Sequence, residues 1–383
     1  MDFSLSEENL KFREKVREFA ETKVAPVAKK CDRSEEFISE LIPEIAKMGL
    51  MGLAIPKEYG GAGGDYINYA IAVEELSRID GSTGITVAAH NSLCTNNIYL
   101  AGTEEQRRKY VVPLAKGEKL GAWGLTEPGA GSDAGGTQTT AVLDGDEWVL
   151  NGSKIFITHA SKADVYVIIA ATDKTKGTRG GISAFIVERG TPGFSHGAIE
   201  KKMGLHGSDT GELVMEDCRI PKENLLGAIG EGFKNTMKVL DGGRISIGAL
   251  ALGLGQGALD ASIKFAKERV QFGKPIGKHQ IIQWYISEMA TEIDAARLLI
   301  YRAAWMKNMN TITSRESAMA KYYASDVAMR AATRAIQIMG GRGYLDECTV
   351  ERIFRDVKLC EIGEGTSEVQ KLVIARHIIG KDR

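Results

Sequence analysis

The chain has 383 residues, with 49 Lys and Arg against 50 Asp and Glu and a formal net charge of −1. At ~100 to 200 residues per domain that length gives two or three cores. The balanced charge excludes a field that would steer the chain onto nucleic acid, which leaves a small molecule or a protein as the partner, recognised locally.

Ser4-Leu5-Ser6-Glu7 is a capping-box pattern, and Phe12, Val16, Phe19 and Ala20 follow at helical spacing until Pro26 interrupts. Further helical patterns run through Ile38, Leu41, Ile45 and Met48 and over 69–79, separated by the glycine-rich loop at 59–64. Residues 1–120 read as an N-terminal α-helical domain. From Gly121 the period changes to two: 139–143, then Asp144-Gly145, then 147–150, then Asn151-Gly152, then 154–158. Asp-Gly and Asn-Gly tolerate positive φ, so both are read as hairpin turns. With further alternating runs at 165–171, 182–187 and 213–215, residues 121–225 read as a β-barrel or sandwich domain. Past Pro221 the only proline is Pro275, and 233–270, 280–309 and 314–339 read as long helices with apolar stripes. The prediction is an α+β chain closing on a C-terminal four-helix bundle over 226–383, its three parts packed as layers of one body.

Five scattered cysteines fit reduced thiols, and the six histidines never fall at a metal-ligand spacing, so no metal site is predicted. The N-terminus lacks the apolar core of a secretory signal, and the longest apolar stretch, 245–255, is short of the roughly 20 residues a membrane span needs. A cytoplasmic protein with no membrane span is expected.

Three segments carry chemistry. The run Gly121-Ala122-Trp123-Gly124-Leu125-Thr126-Glu127-Pro128-Gly129-Ala130-Gly131-Ser132-Asp133 offers small residues and free backbone N–H groups that could hold a phosphate or a flat heteroaromatic ring, or could be a cluster of turns. In Lys154-Ile155-Phe156-Ile157-Thr158 an aromatic and a hydroxyl share a strand face, suited to stacking on and hydrogen-bonding a flat cofactor. In Glu361-Ile362-Gly363-Glu364-Gly365-Thr366-Ser367-Glu368 a carboxylate between glycines can approach a substrate as a base. The same residues also suit a helix end followed by a helix start, and both readings stand.

Taken together these segments resemble the acyl-CoA dehydrogenase family over nearly the whole chain. The matching strings are Leu125-Thr126-Glu127-Pro128-Gly129-Ala130-Gly131-Ser132-Asp133, Asn151-Gly152-Ser153-Lys154, Arg269-Val270-Gln271-Phe272-Gly273-Lys274-Pro275-Ile276, Gln337-Ile338-Met339-Gly340-Gly341-Arg342-Gly343-Tyr344 and Glu364-Gly365-Thr366. The resemblance implies FAD as cofactor, with Trp123, Leu125 and Thr126 at the flavin's pyrimidine side and Phe156 and Thr158 along its other edge. It puts Arg269, Gln271, Phe272, Gln337 and Gly341 at the FAD phosphates and adenine across a subunit boundary, and Thr366 and Glu368 beside the cofactor. It gives Asp241 and Arg244 to the CoA arm, and Ser132 to both the CoA arm and the cofactor. It also implies a homotetramer, a dimer of dimers, that passes electrons to an electron-transferring flavoprotein.

For the reaction, the resemblance makes Glu364 the base for the α-proton of an acyl-CoA thioester, while the β-hydrogen leaves as hydride to flavin N5 and an enoyl-CoA results. Some branches carry the base just before the arginine of Asp241-Gly242-Gly243-Arg244; here that position is Gly243, which cannot abstract a proton. Gly363 stands where short- and medium-chain members have an aromatic, which with Gly365 beside the base predicts a wide pocket for a compact branched or alicyclic acyl group such as cyclohexanecarboxyl, unless Trp284 or Tyr285 fills the gap. Linear butyryl-CoA is the alternative. Asn91, expected on a helix facing the acyl pocket, is an amide and so argues for simple 1,2-elimination, unless it is a satisfied helix-end group. Also open are a relative that reacts with oxygen or runs reductively in an electron-bifurcating assembly, and a non-catalytic acyl-CoA-binding scaffold.

Overall fold

The structure, a computed structural model, describes residues 4–380; the outermost residues of the first and last predicted domains lie outside that range. The chain opens with α1 (Glu7–Phe19), α2 (Ala25–Ser34) and α3 (Ile42–Lys47). The first cap is Ser6, whose hydroxyl accepts the Asn9 N–H at 3.1 Å. Pro26 does not end a helix as expected. It sits in the first turn of α2, where its missing N–H costs nothing, and a wide turn at Ala20–Val24 joins α1 to it. Then come α4 (Tyr66–Ile79), α5 (Gly81–Ala89), α6 (Asn96–Ala101) and the short α7 (Glu104–Gln106) and α8 (Val112–Ala115).

The middle of the chain is one eight-stranded sheet: β1 (Gly121–Gly124), β2 (Thr140–Asp144), β3 (Glu147–Thr158), β4 (Val165–Ala171), β5 (Ile182–Glu188), β6 (Phe194–Ile199), β7 (Thr210–Pro221) and β8 (Leu225–Leu226). Their order is β6-β7-β3-β2-β4-β5-β8, with β1 parallel to β4. Asp144 pairs with Glu147 across the expected hairpin. Asn151-Gly152 makes no hairpin. It is a bulge inside β3, where the register on β7 slips between Leu150 and Gly152. Gly152 has φ 142°, and a Cβ there would sit 2.6 Å from Thr139 Oγ1, so the pair supplies a close approach rather than a reversal.

The last part holds α9 (Gly232–Glu268), a two-strand hairpin of β9 (Val270–Gln271) and β10 (Lys274–Pro275), then α10 (Gln280–Asn308), α11 (Ser314–Met339), α12 (Thr349–Ile362) and α13 (Ser367–Ile379). α9 is buried almost without break from Gly242 to Leu259, as a helix apolar on all sides must be. One core cluster runs from Val16 and Tyr69 through Leu250 to Ala328 and Val357, so the first and last helical parts share an interior. A second joins the N-terminal helices to the sheet, through Tyr110, Trp123 and Ile186. No helix of the described residues is long and apolar enough to cross a membrane.

Candidate active site

Glu364 lies in the break between α12 and α13. Gly363 ends one helix with an extended backbone, and the Thr366 hydroxyl opens the next by accepting the Val369 N–H at 3.3 Å. The helix-cap reading therefore holds for its neighbours, while Glu364 itself has φ 54° and Gly365 φ 94°. A non-glycine residue in the left-handed region is strained by about 1–3 kcal/mol and persists only where its surroundings dictate it. Those surroundings are Lys321, whose Nζ donates to the Gly365 carbonyl at 2.8 Å, and Gln370, whose Nε2 donates to the Gly365 carbonyl at 2.8 Å and the Glu364 carbonyl at 3.2 Å.

The Glu364 side chain turns inward. Both carboxylate oxygens are shut off from solvent and have no hydrogen-bond partner. Burial pushes the group's pKa up to about 7 against the opposing charges of Lys321 and Arg244. The carboxylate faces α9 at Gly243, where a Cβ would lie 2.0 Å from Glu364 Oε2. One residue on, buried Arg244 donates from Nη1 to Asp241 at 2.8 Å, and the Ser314 hydroxyl donates to the other Asp241 oxygen at 2.6 Å. Of the predicted substrate residues, Asp241, Arg244, Gly363 and Gly365 thus gather at this turn and its facing helix.

A second group sits on the sheet. Trp123 is buried on β1 with its Nε1 unpartnered, and Leu125 and Thr126 follow. The Ile155 N–H donates to the Thr126 carbonyl at 2.9 Å, joining this segment to β3. Phe156 stands 61% exposed at φ 58°, on a second bulge of β3, so that Ile157 goes inward while Phe156 and Thr158 stay on the outer side. Ser132 is exposed on the following loop.

Sequence reasoning gave no role to Lys154, which organises this group. Fully buried, it donates from Nζ to Glu127 at 2.6 Å, Thr137 Oγ1 at 3.0 Å and the Leu125 carbonyl at 3.2 Å. Burial raises the Glu127 pKa, but Lys154 and donors from Thr137 and Gln138 outweigh it and hold the carboxylate at about 2. Lys321 and Gln370 were missed as well. The available signal was a lysine in the alanine stripe of α11, between Ala318, Ala320 and Ala324.

The third group is on the surface. The β9–β10 hairpin turns through Phe272 (φ 51°) and Gly273 (φ 75°), which leaves Phe272 93% exposed, with Arg269 and Gln271 exposed beside it. Gln337 and Gly341 are exposed at the end of α11, and Glu368 on the first turn of α13. None of these packs at the Glu364 carboxylate.

Two expectations are corrected. Asn91 does not offer its amide to a substrate: its Oδ1 accepts the Leu53 N–H at 2.8 Å and its Nδ2 donates to the Leu50 and Val87 carbonyls at 2.9 Å, so it is committed to the N-terminal fold. Nor does Trp284 or Tyr285 come nearest to Gly363. The three atoms closest to a Cβ there belong to Leu359, while Trp284 is 64% exposed and Tyr285 lies under the Arg334 guanidinium. A cavity of about 680 Å³ opens beside Lys30, Phe37, Lys202 and His206, and none of the predicted site residues lines it. No group of residues that could hold a metal ion occurs among the described residues.

Residues 6–118, 122–218 and 230–379 match the acyl-CoA dehydrogenase N-terminal, middle and C-terminal domain families. The fold and the family matches are those of an oxidoreductase acting on acyl thioesters. The chain belongs to the acyl-CoA dehydrogenase family. It is 52% identical to a short-chain-specific acyl-CoA dehydrogenase of Clostridium acetobutylicum, over 99% of this chain and 100% of that one. Among solved structures it is similar to butyryl-CoA dehydrogenase from Megasphaera elsdenii, with 47% identity, a TM-score of 0.97 and coverage of 99% and 100%. It is also similar to a chain solved in work on the electron-transferring flavoprotein of Acidaminococcus fermentans, with 51% identity, a TM-score of 0.98 and full coverage of both.

Proposed function

We propose that this protein oxidises a short linear acyl-CoA of butyryl size to the 2-enoyl-CoA, with Glu364 as the base. The observation that carries the reading is the Glu364 carboxylate, buried, unpartnered and held on a strained backbone. A carboxylate in that state is a strong hydrogen acceptor with nothing to accept from until a substrate enters, and a proton affinity near neutrality suits a base that must ionise at working pH. The Glu364 N–H makes no hydrogen bond among the described residues. It is free to donate to the thioester carbonyl as negative charge develops there, a contact whose loss typically costs about 3 kcal/mol of barrier. Arg244 and Lys321 surround the ionised base with compensating charge.

The sheet residues fit a flat cofactor: the unpartnered Trp123 Nε1, the exposed Phe156 ring and the loop pinned by Lys154 leave ring faces and donors unused by the fold. Trp123, Leu125, Thr126, Phe156 and Thr158 would hold the flavin of FAD, with Thr366 and Glu368 beside it. Arg269, Gln271, Phe272, Gln337 and Gly341 would serve the FAD of a partner subunit in a homotetramer. FAD when bound accepts the β-hydrogen as hydride. Ser132, Asp241 and Arg244 would take the CoA arm. An electron-transferring flavoprotein as acceptor, a cytoplasmic location and domains at 1–120, 121–225 and 226–383 complete the proposal.

The linear acyl group replaces the branched or alicyclic one expected from Gly363, because the short-chain relative and the butyryl-CoA enzyme share the whole length of this chain at about half identity. Anaerobic bleaching of bound flavin tests both parts. Butyryl-CoA is expected to bleach the parent and not the Glu364→Gln protein. Bleaching of that variant at the parental rate would remove Glu364 as base; faster bleaching by cyclohexanecarboxyl-CoA would overturn the acyl assignment alone.

A further inference from the structure

We infer that Lys321 is the positioning residue for the base: its buried ammonium locks the Glu364-Gly365 turn and provides the charge that keeps the Glu364 carboxylate available. The inference rests on Glu364 being the base.

Lys321 is 0% exposed in the middle of α11, a place a lysine occupies only at a cost unless its charge is used. Its hydrogen-bond acceptor is neutral, the Gly365 carbonyl at 2.8 Å. Among the described residues no carboxylate pairs with it directly, unlike Lys154, which sits 2.6 Å from Glu127. The contact reaches α11 to the second of two consecutive left-handed residues, so withdrawal of the ammonium frees the turn that points Glu364 at Gly243. Gln370 donates to the same carbonyl at 2.8 Å but carries no charge. The two donors therefore share the geometric role, and only Lys321 has the electrostatic one.

The charged and titratable groups around the carboxylate are few. From α9 come Arg244 and, paired to it, Asp241; from α11, Lys321; from α4, Tyr69. Cys360 and Glu361 on α12 face Lys321. Arg244 already pairs with Asp241 at 2.8 Å and Lys358 with Glu361, which leaves Lys321 as the cation here with no direct carboxylate partner among the described residues.

The test uses flavin-loaded parent, Lys321→Met, Lys321→Gln and Gln370→Met proteins. The rate of anaerobic bleaching by butyryl-CoA is followed across pH, with KM, flavin content and thermal midpoint as controls. Loss of the charge makes the carboxylate harder to ionise, so the acid limb of the profile is expected to move up by about one pH unit in both Lys321 variants, a roughly tenfold loss below the midpoint that is regained at higher pH. KM is expected to stay close to parental. In Gln370→Met the rate falls but the limb stays, because the charges are unchanged. An unmoved limb in a folded Lys321 variant overturns the inference. If neither Lys321 variant folds, a limb that moves in Gln370→Met overturns it equally, since a neutral donor would then suffice to move it. Failure here with an inactive Glu364→Gln protein sinks only the role of Lys321; bleaching by Glu364→Gln sinks the base itself.

Discussion

Replacing Glu364 by Gln should shift the stability of the substrate-free protein in the variant's favour as pH rises from 5 to 8. The folded carboxyl ionises near 7 rather than 4.5 because it is desolvated. A folded pKa above the unfolded one means that the group's contribution is fully present below the unfolded value and is lost as pH rises through the folded value. At about 1.4 kcal/mol per unit, the shift amounts to roughly 3 kcal/mol of lost stability once the folded group is ionised. At pH 5 most of that loss has not yet appeared. The amide left by the substitution is itself unpartnered, but that penalty is the same at both pH values and cancels, as do the groups common to parent and variant that do not interact with Glu364; Lys321 and Arg244 do interact with it. The difference between the two effects, pH 8 minus pH 5, is therefore expected at about 2 to 3 kcal/mol in favour of the variant, read as a thermal midpoint that, relative to the parent, is higher at pH 8 than at pH 5. An equal effect at both pH values would show that the carboxylate is not desolvated as the structure has it.

With ionised Glu364 as the proposed base, the bleaching rate of the parent with butyryl-CoA should rise through an apparent pKa near 7; a profile flat from pH 5 to 9 would contradict the proposal. Gly243→Ala places a methyl 2.0 Å from Glu364 Oε2, and displacement of that carboxylate should lower kcat on the order of 10²-fold with FAD still bound, measured by steady-state assay and flavin absorbance. Lys154→Met strands Glu127 as a buried, unpaired carboxylate, which costs about 3–5 kcal/mol and should empty the flavin site before it unfolds the chain, checked by flavin content after gel filtration. His90 is buried with its Nδ1 accepting the Gly121 N–H at 3.1 Å, and burial pushes its pKa down to about 3. It is neutral when folded, so its stabilisation is present above pH 6.5 and lost toward pH 3. His90→Gln should cut the acid sensitivity between pH 6.5 and 5 by about 2 kcal/mol, followed by urea unfolding at the two pH values.

Where the physics is periodic, the sequence was readable. β4 and α11 occupy 165–171 and 314–339 as the pattern predicts, and α9 and α10 differ from it by one or two residues, because burial of a stripe or a face imposes its own spacing on the chain. Turn chemistry was ambiguous in a specific way. Asn-Gly reports only that positive φ is tolerated, and a bulge uses that tolerance as well as a hairpin does; Thr139, thirteen residues upstream, decides between them by approaching Gly152. Pro26 was misread for the same reason, since a proline that interrupts one helix and one that opens the next differ only in where the preceding helix ends.

The site was legible as residue types and not as burial. Glu364 stood out because glycine flanks it, but Lys154 and Lys321 are written like any surface lysine, and nothing local distinguishes them from Lys358 or Lys371. What buries them is long-range: the loop at Glu127 closes over one, and the turn at Gly365 closes over the other. Gly243 is the converse case. A glycine in a helix reads as an absence, whereas on α9 it is the space that the Glu364 carboxylate occupies. A side chain at 243 and a carboxylate from 364 compete for one volume, so placing the Glu364 carboxylate on the turn requires a glycine on the helix, at two positions 121 residues apart in the sequence.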